Sequence, residues 1–275
     1  MSLNYYVLSR GDETSNSLKK AFEAMAEERH MKQDEKNPDI VISIGGDGTM
    51  LLAFHSFVEQ LDRISFVGVH TGHLGFYADW KSDELETLVE LMASSPQLFS
   101  HKIVEYPLLD IEITTLDGQS HTYYALNECT LRGGRSTLVA ELHLNDTPFE
   151  MFRGDGMCIS TPSGSTAYNK SLGGAIIHPA IETIQIAEMA SINNRVFRTL
   201  GSSMLLPKHH HCDIYPKTNQ PLQISVDHMQ LEFEAVQTLR CKVARQKVRF
   251  ARYRPFPFWN RVKEAFIGSK YDEQR

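Results

Sequence analysis

The chain has 275 residues, room for two domains, and its 41% apolar and 23% charged content is that of an ordinary soluble globular protein. A net charge of −6 argues against a nucleic-acid partner; no run approaches ~18 apolar residues, so no membrane span is expected, and the N-terminus lacks a signal-peptide layout. Cys129, Cys158, Cys212 and Cys241 are widely spaced and form no Cys-x-x-Cys pair, which predicts reduced cytosolic thiols rather than disulfides or a zinc site.

Tyr5–Leu8 reads as a short strand, and Ser17–Met31 as a helix with Leu18, Phe22, Met25 and Ala26 on one face. Ile40–Ile44 is rich in β-branched aliphatics and reads as a buried strand. Gly45-Gly46-Asp47-Gly48-Thr49 follows, and then Leu51, Leu52, Phe54 and Val58 at helical spacing. Strand, glycine turn, helix is an order that leaves backbone N–H groups at a helix N-terminus, a natural seat for phosphate. Asp47 is the unusual residue in that loop, because a carboxylate repels phosphate. It must be offset by a metal ion or sit where a proton is removed. The loop is not a Walker loop, having no Gly-Lys-Ser/Thr. Nor is it a dinucleotide fingerprint, whose third glycine would fall on Leu51.

Ile64–Val69 is another buried strand, followed by the turn Thr71-Gly72-His73-Leu74-Gly75-Phe76. Asp83–Met92 is helical, with Leu85, Leu88, Val89 and Met92 aligned. This alternation predicts an α/β domain over residues 1–101, a Rossmann-like parallel sheet covered by helices. Both glycine turns then lie at carboxyl ends of strands, where ligands bind in such sheets.

From residue 102 the period changes to two. Leu108–Ile113, parts of Thr122–Leu131, Thr137–Leu144, Gln223–Val226, Met229–Val236 and Lys242–Phe250 alternate, and Asp117-Gly118 is a hairpin signal. A mostly-β, antiparallel, sandwich-like domain is expected over 102–255, with one helix near Ser165–Ser171. Val262, Phe266 and Ile267 mark a C-terminal helix within 256–275, expected to pack back on the first domain. No linker separates the halves, so a cleft between them is the default site.

Asn127-Glu128 offers an amide and a carboxylate, suited to sugar hydroxyls; an exposed strand end is the plainer reading. Arg153 precedes the tight turn Gly154-Asp155-Gly156. Thr161-Pro162-Ser163-Gly164-Ser165-Thr166-Ala167-Tyr168 places four hydroxyls in six residues at a helix entry. Capping explains one or two of them; the others are expected to meet a polar ligand. The run His209-His210-His211-Cys212 lacks metal-ligand spacing. Lys247 and Arg249, alternating with Val248 and Phe250, read as a strand with one wet face.

Taken in order, Gly45–Thr49, Asn127-Glu128, Gly154–Gly156 and Thr161–Tyr168 resemble the motifs of the NAD kinase family, bacterial type, over nearly the whole chain. The resemblance implies transfer of phosphate from ATP to the 2′-hydroxyl of the adenosine ribose of NAD, giving NADP. It implies Mg²⁺ or another divalent metal as cofactor, with no protein ligand assigned to it. Asp47 would be the general base, and Gly45, Gly46, Gly48 and Thr49 the phosphate loop. Gly48 and Phe76 would line the adenosine pocket, and Asn127 and Glu128 would hold the ribose or adenine. Ser163, Thr166, Ala167, Tyr168 and Ser171 would complete the dinucleotide site. Asp155, with Arg153 beside it, would reach the nicotinamide end, in relatives often from a neighbouring subunit. The resemblance also implies a cytoplasmic homo-oligomer, commonly a tetramer, built through the β domain.

One departure is His228 in Ser225-Val226-Asp227-His228-Met229, where relatives often carry glycine. The imidazole either reaches the ligand or sits solvated on a turn. Lipid kinases share the first motif and are the alternative reading, although the hydroxyl-rich 161–168 segment favours a polar acceptor. A non-catalytic dinucleotide sensor is a third reading, which Asp47 disfavours. A Mg²⁺ ligand is the rival role for Asp47.

Overall fold

The computed structural model describes residues 3–72, 75–94, 103–134, 136–217, 222–233 and 235–268; His73 and Leu74 of the second glycine turn lie outside these. The chain divides into two compact units, Met1–Glu105 with Val248–Arg275, and Tyr106–Lys247.

The first unit contains β1 (Asn4–Ser9), α1 (Glu13–Glu28), β2 (Lys32–Gln33), β3 (Ile40–Gly45), α2 (Asp47–Ser56), β4 (Ser65–His70), β5 (Trp80–Lys81) and α3 (Leu85–Ser94). Its strands pair in the order β2-β1-β3-β4-β5, all parallel. Helix α1 starts four residues earlier than its apolar spacing suggests. The Asp12 carboxylate accepts the Ser15 N–H at 3.0 Å and caps it there. β3 is buried at every residue, and Ile42, Ile44, Val67, Phe22, Leu88 and Met92 share one core.

Two expectations for α2 need correcting. Leu52 is 45% exposed, and Val58 lies in a separate 3₁₀ turn, Val58–Gln60. The buried residues are instead Thr49, Met50, Leu51, Ala53 and Phe54. From Thr49 to Phe54 only Leu52 is left unburied, so a single apolar stripe misreads this helix.

In the second unit β6 (Ile103–Thr115) and β7 (Ser120–Ala125) form the expected hairpin. There follow β8 (Glu128–Gly133), β9 (Leu138–Leu144), β10 (Thr147–Gly154), β11 (Gly156–Ser160), α4 (Tyr168–Ser171), β12 (Thr183–Met189), β13 (Met204–Pro207), β14 (His211–Pro216), β15 (Leu222–Val226), β16 (Met229–Phe233) and β17 (Val236–Ala251). One antiparallel sheet runs β13-β12-β11-β8-β15-β16. In the other, β10-β9-β14-β17 are antiparallel neighbours. Leu131, Ile159, Ile186 and Ile224 of the first sheet and Leu142, Phe152, Ile214 and Leu239 of the second fill one core, a sandwich. All four cysteines are buried and unpaired.

Strands β10 to β14 were not among the alternating segments. β11 and β12 are buried on both faces, so their sequences do not alternate. The helix expected near Ser165–Ser171 is a 3₁₀ turn, Ser163–Thr166, followed by the single turn α4. Strand β17 ends in the first unit, where Phe250 pairs in parallel with Phe66 of β4. Helix α5 (Phe258–Phe266) follows in the same unit.

Gly68 of β4 runs tightly beneath the segment after the second glycine turn. A Cβ there would lie 2.6 Å from the Ala78 Cα and 2.8 Å from the Tyr77 carbonyl oxygen. Both obstacles are backbone and cannot rotate away. Gly68→Ala should therefore destabilise the protein by about 1–3 kcal/mol, read as a fall in denaturation midpoint at unchanged m-value.

Candidate active site

In the first unit, β3 and β4 are parallel neighbours, so the two glycine turns leave the sheet at the same end. The Asp47 side chain crosses from one turn to the other. Its Oδ2 accepts the Phe76 N–H at 2.9 Å, and its Oδ1 accepts the Tyr77 N–H at 3.1 Å. Gly75 makes the approach possible, since a Cβ there would sit 2.2 Å from Asp47 Oδ1. Burial raises the Asp47 pKa above the ordinary carboxylate value. The two amide hydrogen bonds and the charges of Arg261 and His70 pull the other way. Asp47 is thus a half-buried carboxylate with a fixed orientation and proton affinity raised by burial.

The glycine loop offers fewer amides than its sequence suggests. The Gly46 N–H turns to the Thr49 Oγ1 at 3.3 Å, and the Thr49 N–H returns to the Gly46 carbonyl at 3.0 Å. Gly45 is packed against that threonine, its Cβ position 2.2 Å from the Thr49 Oγ1. The N–H groups of Asp47 and Gly48 open α2 and have no carbonyl of their own helix to meet. The Phe76 ring stacks on Phe266 at 5.6 Å and lies 6.3 Å from Phe258, both on α5.

The second unit gathers Asn127, Glu128 and the 161–168 segment. The Asp227 carboxylate, on the turn between β15 and β16, accepts the N–H groups of Leu126, Asn127 and Glu128 at 2.9, 2.7 and 3.1 Å. Asp227 itself has left-handed backbone, φ 52°, and sequence reasoning did not single it out. An aspartate heading a two-residue hairpin turn was the available signal. His228 beside it is exposed.

The four hydroxyls of the 161–168 segment divide. Thr161 Oγ1 donates to the Leu126 carbonyl at 2.6 Å, Ser165 Oγ to the Pro162 carbonyl at 2.6 Å, and Thr166 Oγ1 to the Ser163 carbonyl at 3.1 Å. So Thr161, Ser165 and Thr166 build the turn, more than capping alone had suggested. Ser163 Oγ is buried without a hydrogen-bond partner among the described residues, as is Glu128 Oε2. Gly164 lets the segment lie on Asn127, its Cβ position 2.0 Å from the Asn127 carbonyl oxygen. Ala167 is the N-cap of α4 and Ser171 its last residue, and Tyr168 directs its hydroxyl to the Met189 sulfur at 3.9 Å. Glu128, Tyr168 and Asp227, with Thr130, Arg132, Gln223, Ser225 and Gln230, line a cavity of about 260 Å³.

Arg153 and Asp155 do not join this group. Ser160 of β11 pairs with Glu128, but Gly156 pairs with Arg132, so Asp155 lies beyond the far end of the strand. Four residues at ~3.3 Å each separate the two ends by about 13 Å. Arg153 lies over the Phe197 ring at 4.1 Å.

Metal-capable groups converge at one place among the described residues, Asp146, His211 and Asp213. Arg240 already serves that cluster. Its Nε lies 2.6 Å from Asp213 Oδ1, and its Nη2 lies 2.9 Å from Asp213 Oδ2 and 3.0 Å from Asp146 Oδ1. Both carboxylates are thus already paired with a cation. His209 and His210 precede β14 and take no part.

Residues 7–95 match the family model of the ATP-NAD kinase N-terminal domain, and residues 126–253 that of the ATP-NAD kinase C-terminal domain. The chain belongs to the ATP-NAD kinase family. NAD kinase 1 of Bacillus subtilis (strain 168) is 54% identical over 267 residues, covering 97% of this chain and 99% of that relative. The NAD kinase of Geobacillus stearothermophilus is 53% identical over 267 residues, covering 97% of each. Yeast NADH kinase complexed with NADH shares the fold with a TM-score of 0.82 at 18% identity, over 98% of this chain and 88% of that one. The NAD kinase from Archaeoglobus fulgidus in complex with ATP gives 0.73 at 17% identity, over 98% and 99%. The α/β unit with a parallel sheet and the antiparallel β unit are those of the NAD kinase fold.

Burial, and then the Asp227 charge, push the Glu128 carboxyl up to about 8 from an ordinary 4.5, against a hydrogen bond from the Tyr168 N–H. Between those values the folded chain holds a proton that the unfolded chain has lost. The associated stabilisation is full below about pH 4.5 and is lost as pH rises through about 8. Glu128→Gln keeps the shape and removes the titration. Its melting temperature should match that of wild type at pH 5 and exceed it at pH 9, in paired thermal scans.

Proposed function

We propose that this NAD kinase family member transfers the γ-phosphate of ATP to the 2′-hydroxyl of the adenosine ribose of NAD, with Asp47 as general base. The observation that carries this reading is the fixed, half-buried Asp47 carboxylate at the mouth of the glycine loop. Each of its oxygens gives one acceptor position to an amide and keeps another for a hydroxyl. In the transfer the 2′-oxygen forms a bond to the γ-phosphorus as the bond to the ADP oxygen breaks. The hydroxyl proton passes to Asp47. The transition state is loose, so positioning and charge neutralisation dominate. In this reading the Asp47 and Gly48 N–H groups meet a phosphate oxygen at the start of α2.

The other assignments follow the same reading. Asn127 and Glu128 take the ribose or adenine, and Ser163, with its unpartnered buried hydroxyl, contacts the dinucleotide. Tyr168, Ala167 and Ser171 border it. Thr166 contributes by shaping the turn. Asp155 and Arg153 act on the nicotinamide end of a neighbouring subunit's ligand; their distance from Glu128 along β11 supports a trans role. The assembly would be a homotetramer. Among the described residues no donors for a divalent cage gather at the glycine loop, so in this reading Mg²⁺ enters as part of the MgATP substrate. The buried, unpaired cysteines suit a reducing compartment, the cytoplasm, and no helix among the described residues is long and apolar enough to cross a membrane.

Incubation with NAD, ATP and Mg²⁺ should yield NADP. Asp47→Asn should bind NAD and stay folded, yet lose about 10²–10⁴ in turnover, the usual worth of a general base. Turnover within about threefold of wild type would remove Asp47 from that role.

A further inference from the structure

The geometry points to Arg261, on helix α5, as a positioning residue that sets the orientation of the Asp47 carboxylate through the Gly75–Ala78 turn. This rests on the reading of Asp47 as the base and adds a residue that no sequence motif marks.

The contacts form a chain of three groups. Arg261 Nη1 donates to the Gly75 carbonyl at 2.8 Å and to the Ala78 carbonyl at 2.5 Å. Between those carbonyls, Phe76 and Tyr77 donate their N–H groups to Asp47. The Gly75 carbonyl and the Phe76 N–H belong to one peptide plane, and in a trans peptide they point in opposite directions. Arg261 therefore grips one edge of the peptide while Asp47 takes the other. A cation on the carbonyl polarises the amide and strengthens the N–H···carboxylate bond beyond it. The turn also depends on glycine at position 75 and passes close over Gly68, so it has little room to move by itself.

Arg261 is held in its turn. Its Nη2 lies 3.6 Å from Asp79 Oδ1, and its guanidinium lies 4.7 Å from the centre of the Phe256 ring. Asp79 is buried, and Arg252 contacts its other oxygen. A purely structural role would be neutralisation of Asp79. Arg252 already meets that need, and Arg261 spends its Nη1 on the turn instead. Among the described residues, Arg261 from α5 and His70 from β4 also act on the Asp47 charge, and both favour the ionised form. Loss of the Arg261 charge therefore moves the Asp47 pKa upward.

The test compares Arg261→Met and Arg261→Lys in the full chain, alone and with Asp47→Asn, by transfer of labelled phosphate from ATP to NAD. Arg261→Met should lose about tenfold or more in kcat, with KM for NAD changed less than about threefold, the pattern of a residue acting in the transition state. The acid limb of its kcat profile should move to higher pH. Arg261→Lys, which keeps the charge, should hold the acid limb near that of wild type and recover part of kcat. With Asp47→Asn already present, Arg261→Met should cost less than about threefold, because residues that act as a unit are not additive. Should Arg261→Met fail to fold by circular dichroism, the lysine variant and its double mutant decide the matter. An equal loss with and without Asp47, or an unmoved acid limb with kcat near wild type, would overturn the positioning role. An Asp47→Asn enzyme that keeps its turnover would remove the base reading and this inference together. An inactive Asp47→Asn beside a harmless Arg261→Met would remove only this one.

Discussion

The site depends on one constraint, the pair of backbone amides that fixes the Asp47 carboxylate. Phe76 and Tyr77 present adjacent N–H groups, and Asp47 accepts one on each oxygen. This is possible because β3 and β4 are parallel neighbours, so the loops that follow them emerge side by side. It also requires glycine at position 75, where any side chain would occupy the carboxylate's place. A carboxylate near phosphate is poorly placed for binding. Held at fixed orientation, with burial raising its proton affinity, it is well placed to receive a proton late in a phosphoryl transfer.

The β unit uses the same device. Asp227 collects three consecutive amides, from Leu126 to Glu128, and so shapes the turn that carries the Asn127-Glu128 motif. Thr161 locks the other side through the Leu126 carbonyl. The consequence for chemistry lies in Glu128. Crowded by burial and by the Asp227 charge, it holds a proton well above the usual carboxylate range. A neutral carboxyl is donor and acceptor at once, which suits it to a sugar hydroxyl better than an acceptor-only carboxylate.

The fold class was legible because the two halves carry different periods. The four motifs sufficed for a family resemblance that the domain matches and the relatives above 50% identity bear out. What stayed hidden has physical causes. Strands buried on both faces, such as β11 and β12, do not alternate. Exposed Leu52 matched a helical stripe by chance of spacing. Asp227 and Arg261 act on backbone groups about a hundred or more residues away, and such contacts leave no local pattern. Thr161 donates its hydroxyl to the distant Leu126 carbonyl, and Ser165 and Thr166 donate theirs to carbonyls of their own turn, more structural bonds than helix capping predicts.

In the proposed reaction Asp47 is the group that faces the acceptor hydroxyl. A crystal structure of the complex with NAD tests that claim most directly. It should place a ribose 2′-oxygen about 2.6–3.2 Å from an Asp47 carboxylate oxygen, the reach expected of a general base, with the Phe76 and Tyr77 amides still bonded to the same carboxylate. A 2′-oxygen facing a different acid or histidine, or an Asp47 turned away to ligate a metal ion, would contradict it.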